Sequence, residues 1–193
     1  MKQLNNQKGF TLVEIAIVLV IIGLLLGGVL KGQQLIANAK IKSLVTHANG
    51  LSAAIYAYQD RYKALPGDDR RATINLPGAS GGCLAANLVD GNGDGLLWEH
   101  AAAAEQLACS GLITGTYNGT TDIISSPYGT KVYIHRDTIQ GKTGNDIRYD
   151  SLPADVAQTF DTMLDDGVYN TGVVRATTDY LPNTVITNTG FYY

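Results

Sequence analysis

The sequence predicts an α+β fold in which a long N-terminal helix leads into a head of short strands and helices. Three observations predict it. Residues 10–30 are almost wholly apolar, residues 31–62 repeat apolar side chains at helical spacing, and residues 63–193 alternate β-prone segments with glycine-rich turns. With a polar leader over residues 1–9, the chain divides into leader, membrane helix, amphipathic continuation of that helix, and globular head.

The apolar segment, residues 10–30, carries one charge, Glu14. At 1.5 Å per residue this helix is about 32 Å long, enough to cross a bilayer core of about 30 Å. The leader contains Lys2 and Lys8 and ends at Gly9, and no small-residue cleavage site follows the apolar segment. We therefore expect the segment to be retained, unlike that of an ordinary secretory signal peptide.

Glu14 is the most informative residue of this segment. An ionised carboxylate among apolar side chains costs several kcal/mol unless it is paired. No Lys or Arg lies within a helical turn of Glu14. If the chain were cut after Gly9, the new α-amino group of Phe10 would place a positive charge at the same membrane depth. That amine on one subunit could neutralise Glu14 of a neighbour, which predicts a role for Glu14 in assembly.

Residues Lys8 to Glu14, KGFTLVE, resemble the class III signal of type IV pilins and type II secretion pseudopilins. The resemblance implies cleavage between Gly9 and Phe10 by prepilin peptidase, N-methylation of Phe10, and a role for Glu14 in assembly. One departure is Lys31, which stands about where many pilins have Pro. The alternative is a signal-anchor of an unrelated membrane-tethered protein, in which Glu14 is accidental.

The same resemblance implies where the chain acts and with what. We expect a single-pass protein of the bacterial inner membrane with an exported head, which later enters an extracytoplasmic filament. The expected partners are other pilin-like subunits, prepilin peptidase and the inner-membrane assembly platform. The fold implied is a small antiparallel sheet packed on the long helix.

The helix should continue to about Tyr62 and end at the turn Leu65-Pro66-Gly67. Its predicted apolar stripe comprises Leu35, Ile41, Leu44, Val45, Ala48, Leu51, Ile55, Tyr58 and Tyr62. In the head we predict a loop over residues 66–95, then helices over residues 96–109 and 153–164. Short strands are expected near residues 112–117, 122–126, 130–136, 146–149, 168–176 and 184–192.

The loop Asp90-Gly-Asn92-Gly-Asp94-Gly places oxygen ligands at alternate positions, as in a calcium loop. The EF-hand pattern would next place Glu at residue 101, which is Ala; Glu99 lies two positions early, and Asp68 or Asp69 could complete the shell. Calcium is therefore one prediction for Asp90, Asn92, Asp94 and Glu99. The other is a flexible turn in which Asp94 caps the helix over residues 96–109.

Cys83 and Cys109 are the two cysteines of the chain. In an exported head an even number of cysteines favours a disulfide, which would stabilise the fold by about 3 kcal/mol in the chain-entropy estimate. This bond would tie the glycine-rich loop to the helix over residues 96–109.

The remaining patterns exclude several functions. A net charge of −3 without a basic stripe does not favour nucleic-acid binding. Residues 78–82, GASGG, match the spelling of a nucleophile elbow but lack the required strand and helix, and the three histidines have no ligand or triad spacing. We therefore expect that the protein is not an enzyme, and apart from the predicted calcium we expect no cofactor. A filament subunit, a minor rather than a major component, is favoured over an anchored binding module or an anchored hydrolase.

Overall fold

The computed structural model describes residues 11–76, 88–98, 100–118, 121 and 123–193. The chain divides into two units, one ending at Ala39 and one comprising Lys40–Tyr193. Each is described by itself below.

Helix α1 spans Leu12–Tyr62, which confirms the predicted long N-terminal helix. Its first part, in the unit ending at Ala39, contains one stretch long and apolar enough to cross a membrane, and none of that stretch is buried within the protein. The large apolar side chains from Leu12 to Leu30 are between 45% and 90% exposed. This part of the chain makes no core of its own.

In the second unit α1 buries one side against the head. The buried residues recur at spacings of three and four, as a helix packed along one face requires, and are Leu44, Ala48, Leu51, Ala54, Ile55 and Tyr58. Leu35, predicted to belong to this stripe, is exposed. The helix ends at Tyr62, where Lys63 adopts a positive φ of 56° just before Pro66.

The predicted loop over residues 66–95 contains a short helix, α2, over Ala72–Asn75. The predicted helix over residues 96–109 begins later, since α3 spans His100–Cys109. Residues 96–98 are irregular, and the carbonyl of the buried Leu97 accepts a 2.6 Å hydrogen bond from the Arg136 amide. This tertiary contact competes with the helix that the composition of residues 96–98 favours. Gly111, with φ 73°, follows the end of α3 as predicted.

Five antiparallel strands form one sheet in the order β1-β2-β3-β5-β4. They span Ile124–Ser125, Lys131–Ile139, Lys142–Pro153, Val174–Ala176 and Val185–Tyr192 in chain order. The central strand β3 pairs with β2 through Ile147 and Ile134, and with β5 through Ile147 and Phe191. The strand predicted near residues 112–117 is absent from the structure, where these residues are irregular apart from a bridge at Tyr117.

Helix α4 spans Ala154–Leu164, close to the predicted helix, with Pro153 preceding its first turn. Its buried Phe160 meets Tyr149 of β3 edge-on, with ring centroids 5.4 Å apart. Tyr149 in turn lies 3.0 Å from His47 Nδ1 of α1. One face of the sheet thus packs against both α1 and α4, which confirms a long helix on a small antiparallel sheet.

Candidate assembly site at the start of the long helix

Glu14 lies in the first turn of α1, where its carboxylate bonds back to Thr11. Glu14 Oε2 accepts hydrogen bonds of 2.8 Å from the Thr11 amide and of 2.8 Å from its hydroxyl. In return the Glu14 amide donates to Thr11 Oγ1 over 3.3 Å. This reciprocal arrangement is a capping box, which satisfies amide groups that the first turn of a helix leaves without partners.

The capping box corrects one part of the sequence reasoning. Glu14 was expected to lack any partner within its own chain, but its carboxylate is hydrogen-bonded locally. The spelling Thr-x-x-Glu before an apolar run could have shown this. Both donors are uncharged, so within the described residues the carboxylate keeps its negative charge without a cation.

The site faces outward in the structure. Leu12 and Val13, which precede Glu14 in α1, are both exposed, as are the large apolar residues of the next turns. Gly9 and Phe10, the residues predicted for processing, lie outside the described residues. The geometry thus combines an uncompensated carboxylate with apolar side chains that no other part of the described chain covers.

A scan against protein-family models matches residues 4–30 to the prokaryotic N-terminal methylation motif. This is the signal of type IV pilins and pseudopilins. The match includes residues 4–9 of the leader, the predicted Gly9–Phe10 junction, Glu14 and the exposed apolar helix as far as Leu30. No curated protein and no solved structure matches the chain.

The prepilin signal supports a pilin-like or pseudopilin subunit that assembles with other pilin-like subunits and is processed by prepilin peptidase. Proteins with this signal are typically structural subunits. Together with the exposed apolar helix, the signal fits membrane anchoring and a surface filament.

In the predicted calcium loop, the described oxygen ligands accept hydrogen bonds from the protein. Asp90 accepts from the amide and hydroxyl of Thr73 at 2.8 and 3.1 Å. Asn92 Oδ1 accepts from the Asp94 amide, and Asp94 Oδ1 accepts from the Leu96 amide. Asp94 therefore closes a turn rather than capping α3, which begins at His100. Glu99 lies outside the described residues, and the calcium site stays a prediction.

Two further aspartates, Asp68 and Asp69, are buried. The sequence indicates either one as a residue that could complete a calcium shell at this loop, but it does not predict their contacts with the protein. Asp68 accepts hydrogen bonds from the amides of Gly93, Asp94 and Gly95 at 2.5 to 3.1 Å. Asp69 accepts from the Tyr58 hydroxyl at 3.0 Å, and burial together with this carboxylate raises the pKa of Tyr58. The sequence contains no local signal for these contacts, because donor and acceptor are many residues apart.

Only one of the two cysteines of the predicted disulfide is among the described residues. Cys109 is the last residue of α3 and is buried, whereas Cys83 lies outside the described residues, so the pairing stays a prediction. The segment over residues 78–82 that spells a nucleophile elbow lies outside them as well.

On the sheet face opposite α1, charged side chains of β2 and β3 form a network. Arg148 Nη1 lies 3.1 Å from an oxygen of Asp137 and 2.9 Å from His135 Nε2. Asp146 is fully buried, with His135 Nδ1 at 3.5 Å, and burial raises its pKa to about 6. The alternation of charged and apolar residues in β3 is visible in the sequence, but the burial of Asp146 is not.

Proposed function

We propose that the chain is a structural subunit of a type IV pilus or type II secretion pseudopilus, assembled through its N-terminal helix. The observation that carries this proposal is the prepilin signal over residues 4–30, which continues into a helix whose apolar side chains are exposed. Prepilin peptidase would cut after Gly9, and the mature chain would begin at a methylated Phe10.

The exposed apolar helix supplies the free energy of assembly. Burying one large aliphatic side chain is worth about 1.5–3 kcal/mol relative to leaving it in water. The segment from Leu12 to Leu30 contains many such side chains, all exposed. In the single-pass precursor the inner membrane would cover them, and in the filament the helices of neighbouring subunits would do so.

Glu14 would set the register between subunits. Its carboxylate receives hydrogen bonds from Thr11 but no positive charge within the described chain. The amine that cleavage creates on Phe10 of a neighbour would supply that charge. In an apolar filament core, an unneutralised carboxylate costs several kcal/mol, so a subunit in the wrong register would be strongly disfavoured.

Within this class we propose a minor component without enzymatic activity. The head is large and rich in loops, and the cysteines lie in the middle of the head rather than near its C-terminus. The abundance of the chain in sheared filaments would test this, because a major pilin dominates that fraction.

Three full-length variants in the native host separate charge from capping. Glu14→Ala removes both functions, Glu14→Gln removes the charge but keeps an acceptor for Thr11, and Thr11→Val removes the capping hydroxyl but keeps the charge. We expect all three to insert in the membrane. Glu14→Ala and Glu14→Gln should lower incorporation into filaments by about tenfold or more, since 1.4 kcal/mol already corresponds to tenfold, whereas Thr11→Val should assemble almost normally.

The measurement is the amount of each variant in sheared filaments relative to the membrane fraction. Normal incorporation of Glu14→Gln would refute the pairing role. If Thr11→Val failed as badly as Glu14→Ala, the carboxylate would act by capping the helix instead.

A further inference from the structure

The head contains an open groove beside α1 that assembly through the N-terminal helix does not use. It lies wholly within the unit Lys40–Tyr193 and has a volume of about 470 Å³, which is in the range of sites that hold small molecules. We call it the head groove. Its described lining comprises His47, Gly50 and Leu51 from α1 and, on the opposite side, residues 112–114, Tyr117 and residues 124–125.

The walls of the head groove are mostly apolar, and the fold holds them in place. Leu51 of α1 and Ile124 of β1 are each 5% exposed and belong to the core. Between them runs the segment after α3, whose Leu112 amide donates to the Leu107 carbonyl over 3.0 Å. The groove is therefore formed before any molecule enters it, which lowers the cost of binding.

Gly115 holds the ring of Tyr117 at this side of the groove. Its φ of 123° is one that glycine adopts readily, and a Cβ at this position would lie 2.8 Å from the Tyr117 ring. The Tyr117 hydroxyl donates to the Thr114 carbonyl over 3.4 Å. The ring thus folds back on its own turn and forms part of the wall.

Gly50 keeps the backbone of α1 open to the head groove. Glycine destabilises the interior of a helix relative to alanine. A Cβ at Gly50 would meet no atom from the rest of the described chain within 4 Å, so the packing of the head does not require a glycine here. A glycine that its own fold does not require indicates that another molecule approaches the backbone closely.

His47 supplies the head groove with a hydrogen-bond donor. Its Nδ1 lies 3.0 Å from the hydroxyl of Tyr149, which is fully buried and has no other hydrogen-bond partner in the described chain. If this hydroxyl accepted from Nδ1, its own buried proton would have no partner, so the hydroxyl donates and Nδ1 accepts. Burial lowers the pKa of His47, which keeps the ring neutral at neutral pH. The ring proton is then on Nε2, which makes no hydrogen bond to a described residue.

The lining indicates the chemical class of the ligand. None of the described lining residues carries a charge at neutral pH, so a charged molecule would lose its hydration without gaining an ion pair. An apolar body fits the walls around Leu51 and Ile113. An oxygen acceptor on that body would satisfy the Nε2 proton of His47.

We propose that the head groove binds a small uncharged molecule that combines an apolar body with a carbonyl oxygen. The body contacts Leu51 and Ile113 and lies over the backbone at Gly50, and the carbonyl oxygen accepts a hydrogen bond from His47 Nε2. This binding goes beyond the proposed function and does not depend on it, because the groove lies in the head.

NMR spectra of the full chain in detergent micelles test the proposal with acetophenone as the probe. The methyl groups of leucine and isoleucine are labelled. Signals of Leu51 and Ile113 report on the groove, whereas the signals of Leu24 report on uptake of acetophenone by the micelle. We expect the signals of Leu51 and Ile113 to shift and reach saturation, and those of Leu24 to change without saturation.

A space-filling variant and a matched control locate the site. Gly50→Leu places a side chain in the groove, whereas Ala57→Leu adds a similar side chain at an exposed position of α1 that does not line it. We expect Gly50→Leu to weaken acetophenone binding by about tenfold or more, since the new side chain occupies the space of the ligand. Ala57→Leu should change it by less than about twofold.

Ethylbenzene, which lacks the carbonyl oxygen, isolates the hydrogen bond of His47. His47→Phe keeps an aromatic ring but removes the donor. It should weaken acetophenone binding by about threefold or more without weakening that of ethylbenzene. The imidazole ¹⁵N signals of the parent chain should show the tautomer that carries its proton on Nε2.

Three results would overturn the proposal. Shifts at Leu51 and Ile113 that never saturate would exclude a site in the groove, and so would equal binding by Gly50→Leu and Ala57→Leu. Equal losses of both probes in His47→Phe would contradict the selection of a carbonyl group. Recovery of the chain in sheared filaments is measured separately, so this proposal and the proposed function can each fail alone.

Discussion

The two ends of α1 use the same residue types for opposite purposes. Leu24 and Leu44 belong to one helix, yet Leu24 is 73% exposed and Leu44 is fully buried. In the second unit the apolar residues recur on one side because the chain itself covers that side. In the first unit they occupy every side, as expected when lipid or other helices surround the helix.

For the carboxylates the contrast in burial is the same, but its effect on stability is different. Glu14 is exposed and accepts two hydrogen bonds from Thr11. Asp146 is fully buried, and His135 Nδ1 lies 3.5 Å from one of its carboxyl oxygens. Glu14 in the apolar region is therefore accessible to a partner subunit, whereas the buried Asp146 destabilises the folded head when it is ionised.

The largest expected change in the free energy of unfolding comes from truncating a core side chain of α1. Ile55→Ala should lower the free energy of unfolding of the head by about 2–5 kcal/mol, because the fully buried Ile55 would leave a cavity. The matched change Leu24→Ala should alter it by less than about 0.5 kcal/mol. Denaturant titration of the full chain in detergent measures both. Similar losses for the two variants would contradict the division of roles along α1.

A smaller effect concerns the pH dependence of stability. Burial raises the pKa of Asp146 from 3.8 to about 6, so between these values the folded state binds more protons than the unfolded state. The free energy of unfolding should therefore fall as the pH rises from about 4 to 6, by on the order of 2 kcal/mol.

Asp146→Asn should remove most of this slope and be more stable than the parent chain at pH 7. Asp60→Asn is the control, because Asp60 is exposed and forms a surface ion pair with Lys63. Unfolding curves recorded from pH 4 to pH 7 measure the slope. An unchanged slope in Asp146→Asn would show that another group controls the pH dependence.

The parts of the fold that local patterns determine could be predicted from the sequence. The long helix, α4, and strands β2, β3 and β5 follow periodicity and composition. The wrong predictions depend on distant contacts. The Arg136 amide binds the Leu97 carbonyl in an irregular segment that was predicted to be helical, and residues 112–117 have β-prone side chains but form no strand. Leu35 fits the helical period, yet it lies before the part of α1 that the head covers.

The same distinction applies to the candidate site. The prepilin signal and Glu14 are local, so the sequence contains them in full, including the overlooked capping box. The roles of Asp68 and Asp146 depend on contacts with residues far away in the chain, and no spacing rule indicates them.

The central claim is that Glu14 pairs with the α-amino group of Phe10 on a neighbouring subunit, an amine that exists only after cleavage behind Gly9. Mass spectrometry of the intact protein, purified from the membrane and filament fractions of its native host, tests this claim most directly. The account predicts a chain that begins at Phe10 and carries one added methyl group. A chain that still begins at Met1 in both fractions would contradict it.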